Sequence, residues 1–264
     1  MKKHIVKIKL LLSAYLIIWS MSLFGAHEKN KPSQIYLQNT VGSIFKDQNI
    51  INNIQKNAAK FSAIELMGRS FDIEKIQFII NKTGTNKVEV YKWKKHWVIY
   101  GQISNVEDLK AQLFQAYPKA RLKVYETPFY SFMKSKNCPD TVLATEWEHI
   151  LLTAQLVQDP ILQEEYMKYH STQFEKWPEV ANGFCNADFQ QLLVFRNGKQ
   201  LLLAISIPKG KNLKELNPKT SENNPRMDEW NALMAKYQTG IKGTKRNETW
   251  VFFNKITEKQ EERL

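Results

Sequence analysis

The feature that most limits how this chain can fold is a hairpin. Residues 192–195 and 200–207 are two apolar, strand-forming runs joined through Arg196-Asn197-Gly198-Lys199. Asn-Gly between apolar runs is a strong hairpin signal, because both residues tolerate the positive φ of turns whose twist matches paired strands. Such a pair needs partners at its edges and a cover on its faces. Before it, residues 149–157 read as a strand. Asp159-Pro160 then opens a helix, with a capping acid followed by proline in the first turn. After it, residues 225–237 read as a second helix and 249–253 as a closing strand. The order is β-α-β-β-α-β.

The first half carries the same order. Residues 62–67 form a short strand. Asp72 caps a helix with Ile73, Ile76, Ile79 and Ile80 on one side, and Gly84-Thr85-Asn86 ends it. Residues 88–93 and 96–100, rich in β-branched and aromatic side chains, pair across a Lys94-Lys95 turn. Asn105 caps a second helix with Leu109, Leu113 and Ala116 on one face, stopping at Tyr117-Pro118. A last strand runs from Arg121 to about Tyr130. The expected fold class is α+β, two tandem ferredoxin-like (β-α-β-β-α-β) units of the dimeric α+β barrel type. The units span 61–135 and 149–256, joined by a linker at 136–148, with an arm at 27–60 and a tail at 257–264. Each unit presents one bare sheet face, to be covered by pairing within the chain or between chains of a homodimer.

Charge and termini bear on location and partners. The formal net charge is +12 over 264 residues. Four of those positive charges are Lys2, Lys3, Lys7 and Lys9, ahead of an uncharged apolar run, residues 10–24, that ends near Gly25-Ala26. That is the order of an export signal over residues 1–26, which implies a periplasmic or envelope location. If uncleaved, residues 10–26 would associate the chain with a membrane. Other lysines alternate with acids, as in Glu164, Glu165, Lys168, Glu175 and Lys176. With no Arg-rich arm, zinc-ligand spacing or RNP-type strand, no nucleic-acid partner is expected. Cys138 and Cys185 either pair, as an oxidising compartment allows, or stay as separate buried thiols; two cysteines alone make no metal site.

The chemistry concentrates in Glu164-Glu165-Tyr166-Met167-Lys168-Tyr169-His170 and in Trp177-Pro178-Glu179. Tyr166 and His170 stand four residues apart on a helix, so they project from one face. A neutral imidazole there can pass a proton near physiological pH, and a phenol beside it can donate to a sugar oxygen. By spacing alone, such a pair is ordinarily packing. No Ser/His/Asp triad or phosphate loop is found. His96, beside the first turn, reads as a surface residue. Tyr91, Trp93, Trp97 and Tyr100 read as alternating core and edge residues, and Asp140, Glu146 and Glu148 as a solvated linker.

The ordered set Glu-Glu-Tyr-x-x-x-His, Trp-Pro-Glu, hairpin, and a helix with Trp230 and Met234 resembles the L-rhamnose mutarotase family over about residues 149–256. The resemblance implies an aldose mutarotase acting on a monosaccharide, exported here by the signal read at residues 1–26. His170 would be the acid/base catalyst, with Tyr166, Trp230, Trp177, Asn231 and Gln190 binding substrate, and no cofactor or metal. This chain departs from the family in the longer spacer before Trp177, in Asn231 and in Gln190. Those departures keep open a non-catalytic carbohydrate-binding or assembly module of the cell envelope. A haem-handling or monooxygenase role on the same scaffold is a third reading, warranted by fold alone.

Overall fold

The computed structural model describes residues 61–85, 87–139 and 142–256. The expected signal, arm and tail lie outside those residues, as do Asn86 and Asp140. The first half runs β1 (Phe61–Met67), α1 (Ile73–Lys82), β2 (Lys87–Trp93), β3 (His96–Gln102), α2 (Val106–Ala116) and β4 (Arg121–Tyr125). Then come β5 (Tyr130–Met133), α3 (Lys134–Asn137), β6 (Trp147–Leu156), α4 (Pro160–Ser171), α5 (Gln173–Lys176) and α6 (Pro178–Asn186). The chain continues through β7 (Gln191–Asn197), β8 (Gln200–Pro208), α7 (Leu213–Leu216), a 3-10 turn (Asn217–Thr220) and α8 (Pro225–Met234). Three two-residue strands follow: β9 (Gln238–Thr239), β10 (Val251–Phe252) and β11 (Asn254–Lys255).

Local chemistry fixes the helix starts. The Asp72 carboxylate accepts from the backbone N–H groups of Glu74 and Lys75, Asn105 caps α2 through Asp108 N–H, and Asp159 caps α4 through Ile161 N–H. Each cap satisfies donors the helix leaves unpaired, and losing one costs about 1 kcal/mol. The β2–β3 turn is Lys94-Lys95 as expected, with Trp93 opposite His96 and Lys94 at φ 52°. The β7–β8 turn is tighter than the expected four-residue connection Arg196-Asn197-Gly198-Lys199, because β7 runs on to Asn197. Asn197 pairs with Gln200, so Gly198 and Lys199 form the loop, with Gly198 at φ 58°. Glycine leads the loop, the preference of a II′ hairpin, and Asn197 donates from its side chain to the Val124 carbonyl at 2.9 Å.

The fold is mixed α+β with two antiparallel sheets, ordered β11-β2-β3-β1-β4 and β10-β6-β8-β7-β5, with β9 also on β6. Both put the closing strand beside the first, then the third, then the second. The strand expected from Arg121 to about Tyr130 is two strands. Pro128 interrupts it, lacking the N–H a ladder needs. β4 stays in the first sheet, while β5 crosses to pair with β7, Tyr130 opposite Val194. In return β11 pairs with β2, Asn254 opposite Lys92. Each sheet is therefore finished by a strand from the other half of the chain.

Strand alternation divides the side chains between two directions. In the first sheet Ile64, Leu66, Trp97 and Ile99 pack with Ile76, Ile80, Leu109 and Leu113 of α1 and α2. In the second, Leu192, Val194, Leu201 and Ile205 pack with Tyr166, Val180 and Trp230 of α4, α6 and α8. The opposite faces meet each other: Ala63, Tyr91, Val98, Tyr100 and Tyr125 share a cluster with Leu151, Leu193, Phe195, Leu202, Ala204 and Phe253. Of the four residues read as alternating core and edge, Tyr91, Trp97 and Tyr100 are buried and Trp93 is half-buried.

A polar knot crosses the same interface. Glu65 is buried, and its carboxylate accepts from Tyr125 O–H at 3.0 Å and from the Gln200 side-chain amide at 3.1 and 3.2 Å. His96 Nδ1 lies 2.6 Å from Glu65 Oε1, so His96 is a buried partner of Glu65 and not the surface residue its flanking lysines suggest. A buried carboxylate persists only when its lone pairs are met, and three side chains meet these. Glu146, expected as solvated, is exposed and pairs with Lys209 at 3.1 Å. Cys138 and Cys185 form a disulfide with Cα atoms 5.8 Å apart, joining the end of α3 to α6. No described helix is long and apolar enough to cross a membrane.

Candidate functional site

The site is built where α4, α8 and β5 converge on one face of the second sheet. Tyr166 and His170 lie one turn apart on α4, both buried, with ring centroids 4.3 Å apart. His170 Nδ1 stands 2.9 Å from the Tyr166 carbonyl oxygen. A carbonyl only accepts, so Nδ1 carries the hydrogen and the neutral ring keeps its free lone pair on Nε2. Burial pushes the imidazole pKa down to about 4, while the hydrogen bond to Tyr166 O pulls the other way. Near neutral pH the ring is an uncharged base.

Aromatic rings enclose it. Trp230 of α8 meets His170 edge-on at 5.3 Å, Tyr130 of β5 at 5.3 Å, and Phe129, just before β5, at 5.6 Å. Trp177 packs against Trp230 at 5.6 Å, and the Arg226 guanidinium lies 3.8 Å over the Trp177 ring. Trp177 begins α6 by its Trp-Pro junction, proline taking a first-turn position. The spacer between His170 and Trp177, with no expected structure, is α5 in the main.

Hydrogen bonds fix the orientations. Gln238 donates from its side-chain nitrogen to the Tyr166 hydroxyl oxygen at 3.1 Å, and itself accepts from Trp250 Nε1–H at 3.0 Å. That leaves the Tyr166 hydroxyl proton available to a third group, and burial raises its pKa so that it stays protonated. Tyr130 O–H donates to Gln173 Oε1 at 2.8 Å, and the Gln173 amide donates to the Trp177 carbonyl at 2.7 Å.

Four of the six expected site residues are thus brought together: His170, Tyr166, Trp230 and Trp177. Asn231 is exposed on the outer side of α8. Gln190 is buried, and its amide is used elsewhere. It donates to Asp188 O at 3.0 Å and Oδ1 at 2.9 Å, and accepts from Ala144 N–H at 2.9 Å. Those bonds brace the linker against the turn before β7. Sequence reasoning missed Phe129, Tyr130, Gln173 and Gln238. Pro128 is the signal that would have separated β5 from β4; nothing local marks the others.

A surface depression of about 420 Å³ lies off this cage, lined by Glu179, Asn182, Asn186, Lys219, Glu222, Asn223 and Asn224. Among the described residues no group of three or more His, Cys, Asp or Glu side chains is placed to hold a metal ion.

Comparison with known proteins bears on this arrangement. A family model described as L-rhamnose mutarotase matches residues 149–257. An L-fucose mutarotase of Xanthomonas campestris is 26% identical over 108 residues, 39% of this chain and 81% of its own length. A UPF0734 protein of Dictyostelium discoideum is 31% identical over 93 residues, 35% of this chain and 72% of its own. The solved structure of a candidate chlorite dismutase aligns with 75% of this chain and 95% of its own at 8% identity, with a TM-score of 0.39, too low to carry an argument. Through residues 149–257 the chain belongs to the L-rhamnose mutarotase family.

Proposed function

We propose that this chain is an exported mutarotase for an L-rhamnose-like aldose, interconverting α and β pyranose anomers with His170 as the acid/base residue. The observation that carries the reading is the tautomer. His170 Nδ1–H is committed to the Tyr166 carbonyl at 2.9 Å, which leaves Nε2 as a neutral base inside an aromatic cage. Anomer exchange requires the hemiacetal to open. Nε2 takes the proton from the anomeric hydroxyl as the bond from C1 to the ring oxygen breaks. The ring oxygen takes a proton from Tyr166 O–H, held by Gln238. The open-chain aldehyde rotates about C1–C2 and closes on its other face, and each proton returns to its donor. The transient imidazolium and phenolate stand side by side, with ring centroids 4.3 Å apart, so each charge offsets the other. A placed acid/base pair of this kind supplies roughly 10²–10⁴-fold in rate. Trp230 and Trp177 offer faces to the apolar C–H side of the sugar.

The shared core between the sheets supports the dimeric-barrel reading in its intramolecular form, two ferredoxin-like units facing each other within one chain in place of a homodimer. The Cys138–Cys185 disulfide supports export, since such bonds persist in oxidising compartments.

One observation favours the binding-module alternative: the Glu- and Asn-lined depression lies apart from His170. The test is two-dimensional exchange NMR on a panel of aldoses, including L-rhamnose, L-fucose and common hexoses, alongside chemical-shift titration. Faster exchange for one sugar supports the mutarotase. Tight binding with no acceleration of any sugar sinks it and leaves the binding module.

A further inference from the structure

The family resemblance begins at residue 149, yet one wall of the His170 cage comes from before it. Phe129 ends the connection from the first sheet, and Tyr130 opens β5 at the edge of the second. Tyr130 is wedged between two elements of the mutarotase-like half. Its ring meets His170 edge-on, 5.3 Å away at 85°, and stacks on Phe174 at 5.6 Å and 11°. Its hydroxyl donates to Gln173, and Gln173 holds the Trp177 carbonyl. One side chain therefore touches the α4 histidine and both Gln173 and Phe174 of α5, and through Gln173 it is linked to the Trp177 carbonyl. Phe129 lies against both Tyr166, at 6.1 Å, and His170.

This wall is firmly mounted. Phe129 N–H donates to the Val194 carbonyl at 2.9 Å, and Lys134 N–H donates to the Gln190 carbonyl at 3.0 Å, so β5 is held at both ends to the strand region of β7. Immediately beyond, the disulfide fastens Cys138 to α6. A strand added merely to cover a sheet edge would need none of the aromatic contacts to α4.

We propose that the first half of the chain completes the His170 site, with Tyr130 as a positioning residue that fixes the imidazole and Phe129 as the closing wall beside Tyr166. The inference rests on His170 being the proton-transfer group. It makes the mutarotase-like segment incomplete without residues 129–130.

The experiment uses the intact chain with Tyr130→Leu, Tyr130→Phe and, as a control on the same strand, Phe132→Leu. Phe132 is also buried, and its ring packs on Phe184 where that of Tyr130 packs on His170. Two quantities are read: the titration of the His170 ring by NMR of labelled histidine, and KM and kcat for anomer exchange. Tyr130→Leu is expected to raise the His170 midpoint by a unit or more and to cut kcat at least tenfold with KM within twofold. Tyr130→Phe keeps the ring but not the Gln173 bond, so the midpoint stays while kcat falls severalfold. Phe132→Leu moves neither. If Tyr130→Leu and Phe132→Leu shift the midpoint equally, or neither does, the proposal is overturned. Should Tyr130→Leu fail to fold, Tyr130→Phe decides: a lowered kcat supports the proposal and an unchanged kcat overturns it. If the wild type accelerates no sugar, the mutarotase reading fails while the titration arm still decides whether Tyr130 governs the His170 environment.

Discussion

A buried neutral histidine makes stability depend on acid in a calculable way. His170 titrates with a pKa of about 4 in the folded chain, lowered by burial from 6.5. The unfolded chain therefore binds more protons than the folded one wherever the pH lies below about 6.5, and stability falls as pH drops through that window until the folded ring protonates near 4. Linkage between those two pKa values puts the loss from pH 7 at roughly 2 kcal/mol by pH 5 and roughly 3 kcal/mol by pH 4. The perturbation is His170→Phe, which keeps an aromatic ring in the cage and removes the titration. Denaturant unfolding at pH 7 and pH 5 gives the change in stability for each protein, and other titrating groups cancel in the difference. The wild type should lose about 2 kcal/mol more than the variant over this interval. Parallel losses would refute the reasoning, because they would mean that His170 carries the same proton affinity folded and unfolded.

Further expectations follow from the same contacts. Cys138→Ser with Cys185→Ser opens a loop whose ends are 47 residues apart, and chain entropy puts the destabilisation near 4 kcal/mol, visible as a lower denaturant midpoint. Gly183 lies inside α6 where an added Cβ would come within 2.5 Å of the Thr220 carbonyl and 2.6 Å of Met227 Cε. Gly183→Ala should therefore lower stability by about 1–3 kcal/mol despite alanine's better helix propensity, checked by thermal unfolding. Trp230→Phe should raise KM for the sugar about tenfold, the order expected of a lost buried contact. Asn231→Ala, on the exposed side of α8, should leave KM within twofold, and steady-state exchange kinetics compare the two.

How much of this was legible in the sequence varies with how local the cause is. Asp72, Asn105 and Asp159 announced their helices because a cap is a contact between neighbours. The paired hairpins were legible for the same reason, the β7–β8 loop at Gly198-Lys199 falling within the expected Arg196-Asn197-Gly198-Lys199 connection. The Tyr166–His170 face followed from helix spacing alone. What failed was whatever depends on distant parts of the chain. β11 is two residues long and has no periodicity to read; it exists because β2 offers it an edge. His96 looked like a surface residue because its flank is Lys94-Lys95, and its partner Glu65 is 31 residues away. Gln190 was expected at the substrate by alignment, whereas its amide is used by Asp188 and Ala144. Tyr130 was hidden within what read as the end of a strand, and only the crossing of β5 to the second sheet brings it to His170.

The central claim is that His170 moves the proton that opens and closes the sugar ring. Saturation-transfer NMR between the α and β anomers of L-rhamnose and L-fucose, with wild-type chain and with His170→Asn at equal concentration, measures that step directly. The account predicts catalysed exchange for at least one of the two sugars, lost by 10²-fold or more in the variant. Exchange that persists unchanged in His170→Asn would contradict it.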